Sequence, residues 1–224
     1  MTKFDLEKDV QNEELKSYII AYHESTGTEF EIFLRDTYGE NMLQVVLRSH
    51  LYIENTLEKI IEDALENPKL VLGDRSPFAF KLSLVRALGV IPPEYNKLLK
   101  HFNKEIRNKY AHDLKFELNE NHIEDLIDLF DKRTKELYES YIDGVSAIIE
   151  DQPELLKKLI VSMSAMWISI QKYHLEYLLK PLQEESDLLE EMDKLIDKNK
   201  DNQKTYMDKR KSELVQKFKQ VVLG

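Results

Sequence analysis

The clearest candidate for chemistry is an arginine and a histidine on one predicted helix. The segment reads R-N-K-Y-A-H, in which Asn108 directly follows Arg107 and His112 lies five residues after Arg107. A guanidinium group presents a planar fork of N–H donors that fits a phosphate, and an imidazole exchanges a proton near neutral pH. These groups suit the cleavage of a phosphodiester without a metal ion.

The charge around this pair favours phosphate binding. The whole chain carries 32 basic and 42 acidic residues, a net charge of −10, which argues against non-specific binding to a polyanion. Residues 92–112 instead carry five basic and two acidic residues, a net charge of +3. Lys104 and Lys109 lie in this stretch, so we expect them to form a basic patch that contacts substrate phosphates.

The predicted helix that carries the pair has an apolar stripe, with Arg107 and His112 on its two flanks. The stripe consists of Tyr95, Leu98, Leu99, Phe102, Ile106 and Tyr110. On an ideal helix the two side chains are about 140° apart. They can converge if the helix end is distorted near residues 110–111. Alternatively, Arg107 of one chain pairs with His112 of another, which predicts a homodimer with a composite cleft.

The preceding helix offers two supporting groups. His50 and Glu54 lie four residues apart, within or at the edge of an apolar face formed by Val46, Ile53, Leu57, Ile60, Ile61 and Ala64. A polar group in such a place needs a hydrogen-bonding partner or a function. The two residues are either a satisfied buried pair or supporting groups for Arg107 and His112, and both interpretations stay open.

Composition excludes several classes of site and fold. The 224 residues include only six glycines and six prolines, which is typical of long helices. They include no cysteine, which excludes disulfides, thiolate zinc sites and a cysteine nucleophile. The histidines show no paired metal spacing, and the Walker, GxGxxG, GxSxG and HExxH motifs are absent. We therefore expect no metal and no cofactor. Without a long apolar run or a signal-peptide core, we expect a cytoplasmic protein that does not contact a membrane.

Periodicity and helix-end signals predict an all-α fold. The predicted helices cover residues 13–38, 41–66, 77–88, 93–111 and 121–141, with Ser76 and Gly89 as the two caps of the third. We expect breaks at residues 143–144 and 151–153, followed by a helical C-terminal third that only Pro181 interrupts. We assign a helical domain to residues 1–145, with its core at about 40–140, and a helical extension to residues 146–224.

The C-terminal extension has its own pattern. Its apolar residues recur at alternating three- and four-residue steps, which predicts a coiled-coil-like seam of Leu156, Leu159, Met163, Met166, Ile170, Tyr173 and Tyr177. Residues 184–197 hold seven acids and one lysine, and residues 200–224 hold seven bases and three acids. This charge separation indicates either a solvated helix pair whose halves attract one another or a basic tail that contacts nucleic acid.

The motif resembles that of a known superfamily. R-N-x-x-x-H at residues 107–112 is similar to the R-x(4–6)-H motif of the HEPN superfamily, whose all-helical domains are often ribonucleases of toxin–antitoxin, phage-defence and CRISPR systems. Residues 78–81, 87–92 and 106–112 resemble the mannitol operon repressor family, which shares this fold. Residues 48–61 resemble the acid-bearing helix before the motif. The resemblance covers roughly residues 40 to 140.

The resemblance implies a fold and an activity. The fold would be a HEPN-like up-down helical bundle with a C-terminal long-helix extension. Arg107 and His112 match the cleaving pair of HEPN ribonucleases, Asn108 matches the polar residue after the arginine, and Glu54 matches the acid of the preceding helix. RNA would be cut without metal to a 2′,3′-cyclic phosphate and a 5′-hydroxyl. Leu114 stands where some HEPN toxins carry a modified tyrosine, so regulation by that modification is not expected.

Three functions remain open. The first is a HEPN-type endoribonuclease of defence or toxin type, with RNA as substrate and an antitoxin or another regulatory protein as partner. The second is a non-catalytic transcriptional regulator of the mannitol-repressor type, although we identify no helix-turn-helix. The third is a helical interaction protein in which Arg107 is neutralised by an acid such as Glu105 or Glu54.

Overall fold

A computed structural model of the chain describes residues 29–37, 41–73, 76–149, 151–195 and 201–223. All of the regular secondary structure in these ranges is helical, which confirms the all-α prediction. The helices are α1 (29–37), α2 (Met42–Ala64), α3 (Phe78–Ala87), α4 (Pro93–His101), α5 (Asn108–His112), α6 (Glu120–Asp128), α7 (Lys132–Ile148), α8 (Glu154–Leu195) and α9 (Asp201–Leu223). A 3₁₀ turn, Pro68–Leu70, follows α2, and a π-helical segment, Phe102–Arg107, joins α4 to α5. The part of the first predicted helix before residue 29 lies outside the described residues.

The first half of α8 is the centre of a compact unit formed by residues 30–174. Every residue from 159 to 170 is buried, which is expected of a helix that is surrounded by other helices. Trp167 stacks on Phe33 of α1 with ring centroids 5.2 Å apart, and the Tyr95 hydroxyl of α4 donates a hydrogen bond to the Met166 carbonyl. The domain boundary that we placed at residues 145 and 146 therefore falls inside this unit.

The burial of α8 corrects the coiled-coil prediction. Five of the seven predicted seam residues are buried, and they are Leu156, Leu159, Met163, Met166 and Ile170. The residues between them, such as Val161 and Ile168, are buried as well, so the helix has no single apolar stripe for another chain. These five residues are part of the core of this unit, and the seam no longer argues for a homodimer.

Several predicted helix ends are confirmed by their hydrogen bonds. The Asn41 side chain accepts from the backbone N–H of Gln44 and begins α2. Gly89 ends α3 with φ of 76°, a left-handed conformation that glycine adopts without strain. Its N–H donates to the Arg86 carbonyl, and the next N–H, of Val90, donates to the Val85 carbonyl. The Ser76 cap is wrong, because Pro77 precedes the first helical residue and the Ser76 hydroxyl bonds to the preceding loop instead.

Three predictions about helix breaks are wrong. The helix predicted at 121–141 is two helices, because the Asp131 side chain accepts hydrogen bonds from the N–H and hydroxyl of Thr134 and begins a new helix. Helix α7 then runs through residues 143–144, where burial of Val145 outweighs the cost of a glycine. Helix α8 likewise runs through Pro181. The proline costs the helix one N–H donor, but the buried residues around it still favour the helix.

The role of Asp131 gives a test of this fold. Its carboxylate also accepts a hydrogen bond from the Tyr173 hydroxyl of α8. We expect Asp131→Ala to lower the free energy of unfolding by about 2 kcal/mol, since it removes a helix cap and a hydrogen bond to a tyrosine. Asp131→Asn should cost less, since asparagine also caps helices. Urea unfolding measures both, and an Asp131→Ala variant as stable as the wild type would contradict this assignment.

The described residues beyond 174 belong to a second unit, in which one acid of α8 pairs with two bases of α9. Glu185 lies 2.6 Å from Arg210 and 2.8 Å from Lys217, measured from carboxylate oxygen to side-chain nitrogen. Leu214 and Phe218 of α9 are buried. These contacts favour the interpretation of the charge separation as an attracting helix pair. Among the described helices, none combines the length and apolarity needed to cross a membrane.

Candidate functional site

A π-helical segment positions Arg107. The helix that begins at Pro93 widens at Phe102–Arg107, where the N–H of Asn108 donates to the carbonyl of Asn103, five residues back. Phe102 and Ile106 remain buried through this segment, so the predicted apolar stripe holds. Short π-helical segments often occur at functional sites, because the wide turn redirects side chains.

The Arg107 guanidinium has no carboxylate partner among the described residues. Its Nη1 donates to the Asn108 amide oxygen at 3.0 Å, a neutral acceptor that leaves the positive charge uncompensated. Its Nε is buried and has no hydrogen-bond acceptor. The interpretation in which Glu105 or Glu54 neutralises Arg107 therefore has no support in these contacts.

Glu105 pairs instead with the two lysines that we assigned to the phosphate-binding patch. One of its oxygens lies 2.8 Å from the Lys104 Nζ and the other lies 3.0 Å from the Lys109 Nζ. Hydrogen bonds from Lys104 and then Lys109 lower the pKa of Glu105 to about 2. The two lysines thus share one negative charge, which the net charge of +3 already includes, and their ion pairs with Glu105 compete with a phosphate for both ammonium groups.

His112 is exposed at the last position of α5, and the structure does not bring it to Arg107. The π-helical distortion lies at residues 102–107, not near residues 110–111 as one of our alternatives required. Residues 108–112 are regular α-helix, and the N–H of Asp113 donates to the Lys109 carbonyl. The separation of about 140° between Arg107 and His112 around the helix therefore remains within one chain.

The second predicted pair, His50 and Glu54, does lie beside the π-helical segment. His50 is 3% exposed, and its ring packs 4.5 Å from the Phe78 ring, measured between centroids. Its Nε2 lies 3.2 Å from the Asn103 amide oxygen, and its Nδ1 lies 3.6 Å from a Glu54 oxygen. His50 therefore connects α2 to the π-helical segment that carries Arg107, and it is buried, as both of our interpretations of this pair require.

Three further residues form one cluster with His50 and Glu54, and the sequence did not lead us to predict them. They are Lys81, Glu58 and Asn103. The Nζ of Lys81 lies 2.7 Å from a Glu54 oxygen and also donates to a Glu58 oxygen. Lys81 is only 6% exposed and shares the buried face of α3 with Phe78, Leu82 and Val85. A lysine in the apolar face of a predicted helix was the signal that could have found it, since buried lysines are rare unless they are paired.

Burial and charge shift the protonation of this cluster. Burial lowers the pKa of His50 below its usual range, Glu54 opposes this shift, and the positive charge of Arg107 adds to it. Burial also opposes the charge on Lys81, but its hydrogen bonds to Glu54 and Glu58 outweigh burial and raise its pKa. We therefore assign a neutral His50 and a charged Lys81 at pH 7.

The lowered pKa of His50 predicts how stability depends on pH. His50 binds a proton more tightly in the unfolded chain than in the folded protein. Its contribution to the free energy of unfolding is therefore complete above about pH 6.5 and is lost as the pH falls below that value. When the pH is lowered from 7.5 to 5.5, we expect the free energy of unfolding to fall more in the wild type than in His50→Gln. Urea unfolding at both pH values measures the difference. His174, whose pKa is also lowered, is present in both proteins and cancels. Equal losses would contradict a neutral, buried His50.

Other histidines and acids of the described residues do not form an alternative site. No group of three or more histidines, aspartates and glutamates within them is arranged to hold a metal ion. The Nδ1 of His122 accepts a hydrogen bond from the backbone N–H of Asn119, and this contact caps α6. The cluster around Arg107 is therefore the strongest candidate site in this part of the chain.

Comparisons with known proteins add no relative to this description. The chain matches no family model, no curated protein and no solved structure. The resemblance to HEPN proteins therefore stays a prediction from residues 48–61, 78–81, 87–92 and 106–112, and a function has to be argued from the geometry around Arg107 and His112.

Proposed function

We propose that the chain is a metal-independent endoribonuclease of the HEPN type, with a HEPN-like bundle in residues 30–174. The observation that carries this proposal is Arg107. Its guanidinium is held by a π-helical turn and by Asn108, yet no carboxylate of the described residues neutralises it. An uncompensated guanidinium of this kind is suited to bind a phosphate and the charge that develops on it during cleavage.

His112 would supply the proton transfer. An exposed imidazole can take the proton of the RNA 2′-hydroxyl or donate one to the departing 5′-oxygen. Because the attacking group is the 2′-hydroxyl, DNA would not be cut. The expected products are a 2′,3′-cyclic phosphate and a 5′-hydroxyl, formed in the presence of EDTA.

Two chains would complete the site. Arg107 and His112 lie on different sides of one helix, so we propose that Arg107 of one chain and His112 of another face a composite cleft. The enzyme would act on RNA in the cytoplasm, and an antitoxin or another regulatory protein would restrain it. The direct test is incubation of the purified protein with single-stranded RNA and EDTA, followed by analysis of the new ends.

A further inference from the structure

A small aromatic cluster lies where the chain leaves α5, and the proposed function does not use it. Its three rings are those of Tyr110, Phe116 and His122. The centroid of the Phe116 ring lies 4.8 Å from that of Tyr110 and 5.1 Å from that of His122, and both pairs meet edge to face. All three residues are partly exposed, so the cluster lies at the surface. Aromatic rings at a surface are the side chains on which unpaired nucleic-acid bases stack.

A tight turn places Phe116 close to His112. The N–H of Phe116 donates to the Asp113 carbonyl, and the Asp113 side chain accepts from the N–H of Lys115. The ends of such a turn lie within about 7 Å of each other, and Asp113 directly follows His112. The Cα atoms of Phe116 and His112 are therefore within about 11 Å of each other. A strand whose phosphate lies at His112 would have its neighbouring nucleotide near the cluster.

The His122 ring beside Phe116 is held in place at the start of α6. Its Nδ1 accepts a hydrogen bond from the backbone N–H of Asn119, which limits the rotation of the imidazole. Leu118, two residues after Phe116, is buried and anchors the same segment. An aromatic surface that is held in this way loses little conformational freedom when a ligand stacks on it, which favours binding.

One face of the Phe116 ring is covered by a side chain that can move away. The Lys109 Nζ lies over the ring, 5.7 Å from its centroid, and the Lys109 side chain is 42% exposed. The same ammonium group forms an ion pair with Glu105 at 3.0 Å, so it does not depend on the ring for a partner. A planar base can therefore displace it from this face without leaving its charge unpaired.

We propose that Phe116, with Tyr110 and His122 beside it, forms a subsite for an unpaired RNA base, which stacks on the face that Lys109 now covers. The naming of RNA rests on the proposed function, whereas the binding of a base does not. The subsite would select single strands, because the bases of a duplex are already stacked on one another. Stacking also adds affinity without relying on positive charge, which suits a chain with a net charge of −10.

The subsite can be tested by binding alone, with strands that the protein cannot cut. A single-stranded 2′-O-methyl RNA has no free 2′-hydroxyl, so the proposed cleavage cannot occur. An abasic strand of the same length keeps the phosphates and lacks the bases. At one salt concentration, we expect the wild type to bind the base-bearing strand at least about fivefold more tightly than the abasic strand, as for a base that stacks on an aromatic side chain. Fluorescence anisotropy of end-labelled strands measures each dissociation constant.

Substitutions of Phe116 separate stacking from packing. Phe116→Leu keeps an apolar side chain but removes the ring, so it should weaken the binding of the base-bearing strand at least about fivefold and leave that of the abasic strand unchanged. Phe116→Tyr keeps the ring and should bind both strands as the wild type does. Phe80, which is 44% exposed on α3, offers a matched control, and Phe80→Leu should change neither dissociation constant.

The two strands make each outcome decisive. A wild type that binds both strands equally overturns the proposal, and so does an equal effect of Phe116→Leu on both. If Phe116→Leu does not fold, Lys109→Ala decides. Removing the ammonium group that covers the ring should raise the preference for the base-bearing strand about twofold, since an exposed cation holds such a ring only weakly. An unchanged preference in Lys109→Ala would then contradict the subsite.

RNA cleavage is scored separately, with unmodified RNA. A wild type that cuts no RNA but prefers the base-bearing strand through Phe116 refutes the proposed function and leaves the subsite standing. A wild type that cuts RNA but shows no such preference refutes the subsite and leaves the proposed function standing.

Discussion

His112→Ala is expected to reduce RNA cleavage in EDTA by about 10²- to 10⁴-fold, the usual range for the loss of a general acid or base. Arg107→Ala should reduce it by about 10²- to 10³-fold, because the charge that develops on the phosphate loses its fixed donors. Neither variant should lose much stability, since His112 is exposed and the Arg107 side chain makes one hydrogen bond within the described residues, to its neighbour Asn108. Single-turnover rates with a labelled RNA, together with urea unfolding of each variant, measure both effects.

The same helix offers matched controls for both substitutions. His101 is a half-buried histidine at the end of α4, and Lys100 is an exposed base beside it. His101→Ala and Lys100→Ala should each retain cleavage within a few-fold of the wild type. RNA with 2′-deoxy sugars should not be cut by any of the proteins, because the attacking hydroxyl is missing. Equal cleavage by wild type, His112→Ala and Arg107→Ala would point to a contaminating nuclease and contradict the proposed ribonuclease activity. The regulator and interaction-protein alternatives would then replace that proposal.

The sequence predicted the fold best where local chemistry decides it. Asn41 and Gly89 end helices through hydrogen bonds and a backbone conformation that depend on near neighbours. Predictions failed where packing outweighs local preference. Pro181 and the glycine of residues 143–144 lie inside helices, since burial of their neighbours stabilises the helix by more than these residues cost. The central position of α8 was also missed, because periodicity shows an apolar stripe but not a helix buried on every side.

The candidate site divides in the same way. Arg107, His112, His50 and Glu54 were identified because their types and spacing stand out along single helices. Lys81, Glu58 and Asn103 were missed, because their roles come from contacts between α2, α3 and the π-helical segment. The π-helical turn was not predicted either. A sum of charges over residues 92–112 also could not show that one acid, Glu105, pairs with both lysines of the expected patch.

A mixture of the two inactive variants is expected to regain activity. If Arg107 of one chain acts with His112 of another, a mixed dimer of Arg107→Ala and His112→Ala contains one intact pair and one doubly defective pair. Random exchange of equal amounts makes half of the dimers mixed, so about a quarter of the wild-type activity should return. Cleavage after incubation of the two variants together, compared with each alone, measures this recovery.

The pattern of recovery distinguishes a composite site from a site within one chain. Mixing Arg107→Ala with the double variant Arg107→Ala/His112→Ala should restore nothing, because no arginine is supplied. Chains with two different affinity tags report whether mixed dimers form. Mixed dimers without any recovery would show that each chain uses its own Arg107 and His112. In that case residues 108–112 would have to unwind when RNA binds, since the regular α-helix seen there keeps the two side chains about 140° apart.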